Sequence, residues 1–577
     1  MRSARRRSGI HHAALLVAAS LAVPAIAQEQ GPKPAVRAAH AMASSSNPIV
    51  TRTMVEVMRR GGNAMDAVLA SIPVATVVEP QMVTLAGGAG ILYFEAKTGR
   101  YHYLDAELDH TADGAAMTAG WTDLTVGRGE QVPITSGKRV AVPGVVAGMK
   151  AAADRFGTLR WADYFAPAVK ISTQGFPMSS FLYGELSAAA QTVLAAYPSG
   201  RDEYLPQGYP APVGTTVRFP HLATAMQRLQ AEGPDYMYSG EWAHHLVEQV
   251  HAAGGSMTLA DLAQYKPRWE EPVRSTFRNF EIVSAPPPAT GGILIGMTLN
   301  ILEHYDLAAH PDYAASAASL EMVRRAVGAA ETATDEYVRD PLSYEVPVAS
   351  LLSKDYARML YNIAAGSMPR AAGLPPLTAV RPPASGLQLA ADFTAHGRHT
   401  TDTTHVVAVD KDGNMASLTH SVYGNTFGPG FVIDGIQANS GNSFPGNVAG
   451  AGRRTISPFP PTMVVKDGKP WMTIGSPGLA SEAVAITLIN RLGYGKDLLA
   501  ATDAPRFSGS QVGVDFVVEN RLAPGVLDEL KTRYQVSARP TVPYMWHFGS
   551  IQAIERLPDG SLLGVADARR AGSVAGY

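Results

Sequence analysis

Three Asp-Gly pairs, at 412–413, 467–468 and 559–560, each stand between two short runs of apolar and β-forming residues, and this pattern constrains the fold more than any other feature of the chain. The runs are His405 to Val409 and Met415 to Ser421, Thr462 to Val465 and Trp471 to Ile474, and Gln552 to Glu555 and Leu562 to Ala566. Asp-Gly readily adopts the positive φ angles of a tight hairpin turn. The last third of the chain is therefore expected to build a stacked antiparallel sheet, with the apolar run from Ala480 to Arg491 as a covering helix.

The stretch from Ala35 to about Tyr361 reads differently, mostly as helices joined by Gly/Pro loops. Asn47-Pro48 offers an N-cap followed by proline at N1, Val50, Met54, Val57 and Met58 recur at helical spacing, and Gly61-Gly62 ends the helix. Asn63 can cap a second helix through Val78, and further helical patterns fall at 143–155, 220–231, 240–253, 316–337 and 354–364. From Ala365 to Arg398 the composition turns to Gly, Pro and polar residues with little periodicity, as expected of an exposed or mobile connector. Thr403-Thr404-His405 then opens the first hairpin strand.

Composition narrows the function. The 577 residues carry a formal net charge of -2, which provides no basic face for nucleic acid or an anionic membrane, so a small-molecule or peptide substrate is expected. The absence of cysteine excludes disulfides, thiol nucleophiles and thiolate metal sites. The 16 histidines are scattered, the His244-His245 pair puts neighbours on different helix faces, and there is no HExxH, so no metal or other cofactor is expected. Arg2, Arg5, Arg6 and Arg7, the apolar run Ala13 to Val23 and the small-x-small Ala25-Ile26-Ala27 read as a signal peptide over residues 1–27. That run is too short to span a bilayer, and a periplasmic or secreted protein is expected.

The string TTHVVAVDKDGN (403–414) resembles the start of the small subunit of γ-glutamyltransferases, where self-cleavage exposes the first threonine. GGNAMDAV (61–68), VAVPGVVAGM (140–149), SAPPPATGGI (284–293), PTMVVKDGK (461–469), GSPG (475–478) and the closing AGY (575–577) agree in the same order, so the resemblance covers essentially the whole mature chain. It implies an α+β N-terminal-nucleophile hydrolase, a four-layer αββα sandwich made from a large segment (28–402) and a small one (403–577) after cleavage between Asp402 and Thr403. The chemistry requires such a cut. A threonine hydroxyl is a weak nucleophile, but a free α-amine, with a reference pKa near 8, lies within reach of its own Oγ and can act as base. By the same resemblance Gly478 and Leu479 supply oxyanion-hole N–H groups, and Ser421 stands where the family has a threonine hydroxyl near the amine.

The donor pocket departs from the family. Glu107 stands where an arginine grips the glutamyl carboxylate, which reverses the charge expected there. Tyr423 replaces an asparagine, Ser440 and Ser443 lie in the stretch that normally holds the donor amine with acidic side chains, and Ser457-Pro458 replaces paired serines. The expected activity is cleavage of an amide through an acyl-Thr403 intermediate, nominally that of a γ-glutamyltransferase or glutathione hydrolase. An acylase or amidohydrolase of the same family acting on another acyl group is the alternative, and a catalytically silent secreted binding protein is the reading from a different class.

Overall fold

The computed structural model describes residues 30–119, 132–364, 403–443, 451–508, 516–539 and 548–577. The signal region, the connector and Asp402 lie outside the described residues.

Two seven-stranded sheets form the centre. The first runs in the order Ser573–Gly576, Met42–Ser45, Thr403–Val409, Met415–Ser421, Gly88–Glu95, Arg100–Ala106, Arg268–Glu270. The second runs Val36–Ala38, Leu562–Ala566, Gln552–Arg556, Lys469–Gly475, Thr462–Lys466, Phe280–Ser284, Val273–Phe277. Alternation along each strand sends successive side chains to opposite faces. In the Thr403–Val409 strand, Val407 and Val409 enter the apolar layer between the sheets with Leu92, Val283, Met463 and Ile554. Val406 and Ala408 pack outward against a helical layer that includes Ala64–Val78 and Val145–Phe156. The second sheet turns its outer face, with Ile282, Val464 and Met472, to the helices Gly291–Leu302, Ala317–Tyr337 and Ala480–Leu488. The result is the expected α+β, four-layer αββα sandwich.

The helices form where periodicity and caps placed them. Asn47 accepts from the Ile49 N–H to open Pro48–Arg59, and Asn63 and Asp66 close a reciprocal capping box at the start of Ala64–Val78. The same GGNAMDAV segment ties that helix to the first hairpin, because the Ala64 N–H donates to the Asp410 carboxylate at 2.9 Å. The helix expected over 480–491 is α-helical to Leu488 and continues as a π-turn over Ile489–Gly493.

Two expectations are corrected. The three Asp-Gly hairpins do not share a sheet: the one at 412–413 lies in the first and those at 467–468 and 559–560 in the second. The Ala35–Tyr361 stretch is not simply a helical wall either, since it contributes seven of the fourteen strands in the two sheets. Its Gly88–Glu95 strand is buried from Gly88 through Phe94, so it lacks the apolar/polar alternation that marks a half-buried strand.

Beside the second sheet, Asp567 is fully buried between Arg506 and Arg569. Burial alone raises its pKa, but the two guanidinium charges and N–H bonds from Arg569 and Ile551 hold the carboxyl well below the usual range. A depressed carboxyl contributes stability above its unfolded-state pKa of about 4 and loses it as pH falls toward the folded value. Asp567→Ala leaves two buried guanidinium groups without this partner, and a loss of about 3–5 kcal/mol is expected, read as a lower urea midpoint at unchanged slope. A loss under about 1 kcal/mol would mean that Glu519, which also binds Arg569, holds the cluster unaided.

Candidate active site

Thr403 begins its strand directly opposite Ser421 in the neighbouring strand, and both are buried. The Thr403 hydroxyl donates to Ser421 Oγ at 3.1 Å, and the same Oγ accepts the Tyr423 N–H at 3.0 Å. Tyr423 adopts φ 63°, a left-handed conformation that a bulky side chain occupies only when its surroundings impose it. Its hydroxyl reaches one oxygen of the Glu107 carboxyl, and Ser457 Oγ reaches the other. Beyond Ser457, the Pro458 carbonyl accepts from Ser481 Oγ at 2.8 Å in the first turn of the helix that follows Gly478-Leu479. Hydrogen bonds thus link Thr403, Ser421, Tyr423, Glu107 and Ser457, and the neighbouring Pro458 bonds Ser481, two residues beyond Leu479.

Each member is fixed by local packing. Gly478 has φ 75°, where glycine is favoured, whereas Leu479 has an ordinary φ of -70° and caps the Ala480–Leu488 helix, so leucine fits there without strain. The Leu479 side chain is absorbed by Val517 and Phe548. The N–H groups opening this helix have no partner within the helix itself and gather its positive end. The 284–293 motif supports Ser457 from behind: the Thr290 N–H donates to the Ser457 carbonyl at 2.8 Å, and a Cβ on Gly291 would lie 2.3 Å from the Phe459 carbonyl oxygen. Ser440 and Ser443 sit against Gly424, where an added Cβ would come within 2.5 Å of Ser443 Oγ and 2.9 Å of Ser440 Cβ. The Ser443 hydroxyl is turned onto the Ser440 carbonyl at 2.5 Å. Asn439 stitches this loop to the large segment, donating to the Ala86 and Ala141 carbonyls and accepting the Ala141 N–H.

The surroundings of Glu107 work against an anion at this position. Glu107 is wholly buried, and burial, reinforced by the Asp105 charge, pushes its carboxyl well above the ordinary range against the smaller opposing effects of the Ser457 hydrogen bond and the Arg454 charge. Burial therefore favours the neutral form of this carboxyl, whose two oxygens are met by the Tyr423 and Ser457 hydroxyls. His405, two residues along the strand from Thr403, is also removed as a candidate base. Burial pushes its pKa down to about 3, its ring nitrogens pair with Thr419 Oγ1 at 2.9 Å and Ser417 Oγ at 3.0 Å, and the ring packs on Gly475.

Two groups escaped the sequence reading. Arg570 Nη1 donates to the Thr403 carbonyl at 2.6 Å, and Glu79 accepts the Thr404 hydroxyl at 3.0 Å. Neither carries a local motif, and only the pairing of distant strands brings them here. Among the described residues, no group of three or more His, Asp or Glu side chains is placed to hold a metal ion, and no helix is long and apolar enough to cross a membrane.

The family model for gamma-glutamyltranspeptidase matches residues 51–577. The chain belongs to the gamma-glutamyltranspeptidase family. It is similar to the glutathione hydrolase proenzyme of Escherichia coli strain K12, at 30% identity over 94% of this chain and 93% of the relative. Similarity to the acylase ACY 1 proenzyme of Pseudomonas sp. strain SE83 is equal in identity, 30%, over 95% of each chain. In fold it matches the crystal structure of cephalosporin acylase from Bacillus halodurans with a TM-score of 0.80 at 24% identity, over 95% of this chain and 97% of that one. As a gamma-glutamyltranspeptidase-family member with the N-terminal-nucleophile fold, the chain is a hydrolase/transferase. The proenzyme names of its relatives fit a precursor processed into two subunits that acts on a small-molecule substrate.

Proposed function

We propose that this protein cuts its own chain between Asp402 and Thr403 and then cleaves amides through an acyl ester on Thr403, releasing the acyl group to water or to an amine. The observation that carries the reading is the Thr403 hydroxyl, set at the first residue of a central strand and hydrogen-bonded to Ser421. In the precursor the hydroxyl adds to the preceding carbonyl, the peptide C–N bond breaks to free the α-amine and leave an ester on Oγ, and water hydrolyses that ester to release the Asp402 carboxylate and restore the hydroxyl. In turnover that amine takes the hydroxyl proton as Oγ adds to the substrate carbonyl, and returns it to the leaving nitrogen as the C–N bond breaks. Gly478 and Leu479 receive the developing oxyanion with their N–H groups, which contributes about 3–4 kcal/mol to catalysis. Ser421 orients the hydroxyl. The large piece is residues 28–402 and the small piece 403–577, in a periplasmic or secreted protein.

Within this chemistry, one observation favours an acyl group other than γ-glutamyl. In the proposed donor pocket Glu107 is buried, with its carboxyl pushed toward the neutral form and already bonded to Tyr423 and Ser457, and Ser443 is bonded to the Ser440 carbonyl, so these side chains offer no cation for an α-carboxylate and no unengaged carboxylate for an α-amine. This supports the acylase side of the family.

The test is chemical sequencing of purified protein. Cleavage of the signal after Ala27 and of the precursor after Asp402 gives pieces of 402 - 27 = 375 and 577 - 402 = 175 residues. The smaller is expected to begin Thr-Thr-His. A different first residue, or an uncut chain that turns over amides, rejects the assignment of Thr403.

A further inference from the structure

Arg570 lies just ahead of the C-terminal strand Ser573–Gly576, almost fully buried, with its guanidinium on the Thr403 carbonyl oxygen at 2.6 Å. Covalent geometry keeps a residue's own nitrogen within about 3.6 Å of its carbonyl oxygen, so Arg570 Nη1 lies no more than about 6 Å from the Thr403 nitrogen. A guanidinium does not lose its proton at any pH at which the enzyme is folded. The loop that holds it is anchored from behind by Lys33, whose amine donates to the Arg570 and Asp567 carbonyls at 2.8 and 3.1 Å and whose pKa burial lowers to about 8.

The other charges around Thr403 are few and unequal in reach. Glu79, at the end of the Ala64–Val78 helix, approaches through the hydroxyl of Thr404, whose side chain points to the face opposite that of Thr403. Burial pushes Glu79 up to about 6, and the Arg570 charge and the Thr404 bond oppose that rise. Glu185, on the helix Ser180–Ala189, is raised by burial and lowered by Arg570, while Phe181 on the same helix presents its ring 5.7 Å from the guanidinium carbon. On the side between the sheets, Ser421 does not titrate in this range and His405 is uncharged. Asp567 is engaged by Arg506 and Arg569.

We infer that Arg570 is a positioning residue for the reaction: its fixed cation, set on the carbonyl of Thr403, holds the α-amine of that same residue in the uncharged, proton-accepting form. The inference rests on the proposed role of Thr403. A protonated amine would place a second positive charge beside the guanidinium, whereas the neutral amine suffers no such repulsion. At about 6 Å and an effective dielectric near 20, one unit charge is worth roughly two pH units on the amine. Glu79, ionised above its pKa of about 6, offsets part of this from the opposite face and leaves a downward shift of about one unit from the reference near 8. The base is then mostly neutral at pH 7.5, as general-base catalysis requires.

The test measures kcat/KM against pH for processed wild type and for Arg570→Gln, Arg570→Met and Arg570→Lys, with γ-glutamyl-p-nitroanilide and butyryl-p-nitroanilide as probes. It also follows the pH dependence of phenyl isothiocyanate labelling at the Thr403 amine of the wild type. Expected are a labelling midpoint near 7, an acid limb that moves up by about two units in the Gln and Met variants, where Glu79 is no longer opposed, and a limb restored toward wild type by lysine. A merely structural role lowers the plateau without moving the limb. The wild-type labelling midpoint decides the matter if the uncharged variants fail to process. A midpoint at 8 or above, or an equal limb in the Gln, Met and Lys variants, overturns the inference while leaving Thr403 as nucleophile. A small piece that does not begin at Thr403, or processed protein silent on both probes at every pH, removes the role of Thr403 and the inference with it.

Discussion

Thr403→Ala is expected to accumulate as one uncut chain and to lose amide turnover by at least about 10⁴-fold, because it removes the only atom proposed to attack in both reactions. The change is small in structural terms. Alanine fits the buried site, Ser421 keeps the Tyr423 N–H, and Arg570 keeps the carbonyl, so the sandwich should assemble and melt close to wild type. Thr403→Ser retains the hydroxyl and should still be cut. Denaturing gels with mass determination of each band read the cleavage, and a release assay reads the turnover. A cut persisting in the alanine variant would place the nucleophile elsewhere.

The second large effect concerns the donor. An uncharged acyl amide is expected to exceed a γ-glutamyl amide in kcat/KM by about a hundredfold or more, since hydrogen bonds to charged groups contribute about 1.5–3 kcal/mol each and the pocket side chains that would make them are already bonded to one another. The reason can be separated from simple repulsion. If Glu107 were an anion about 4 Å from the donor carboxylate, repulsion of roughly 4 kcal/mol would be relieved by Glu107→Gln, and γ-glutamyl turnover would rise about a thousandfold. Burial favours the neutral acid, which is nearly isosteric and isoelectric with glutamine, so the same variant should change turnover by less than about threefold, well under the 1.4 kcal/mol that a tenfold change represents. Steady-state kinetics on the two amides in wild type and Glu107→Gln decide between these outcomes, and a wild type that prefers the γ-glutamyl amide by tenfold or more rejects both.

What was legible in the sequence was what local physics controls. Caps at Asn47 and Asn63, proline at N1 and helical spacing located the helices, and Asp-Gly turns located the hairpins. The Gly88–Glu95 strand was not legible because burial on both faces erases alternation, and the division of the hairpins between two sheets was not because turn chemistry does not record which strand becomes a neighbour. In the site, motif order pointed to Thr403 and Ser421, which the structure pairs directly, and to Gly478-Leu479, which opens the helix whose Ser481 bonds the Pro458 carbonyl. The identity of Glu107 was readable but its protonation state was not, since that depends on complete burial and on hydroxyls 316 and 350 residues away. Arg570, 167 residues from Thr403, had no signal beyond its charge.

The order of strands in the first sheet bears on when the proposed self-cleavage can occur. Met42–Ser45, near the start, is held between Thr403–Val409 and Ser573–Gly576, and the Tyr577 carbonyl accepts the His40 and Ala41 N–H groups. The Thr403 strand lies between Met42–Ser45 and Met415–Ser421, and Ser573–Gly576 closes the sheet on the far side of Met42–Ser45. A polypeptide that ends before Arg570, even one that already contains Thr403, lacks both the strand that pairs with Met42–Ser45 and the arginine on the Thr403 carbonyl. Under the proposed self-cleavage, the cut is expected to wait for the Arg570–Gly576 segment to dock, and the interleaved strands keep the two pieces together afterwards.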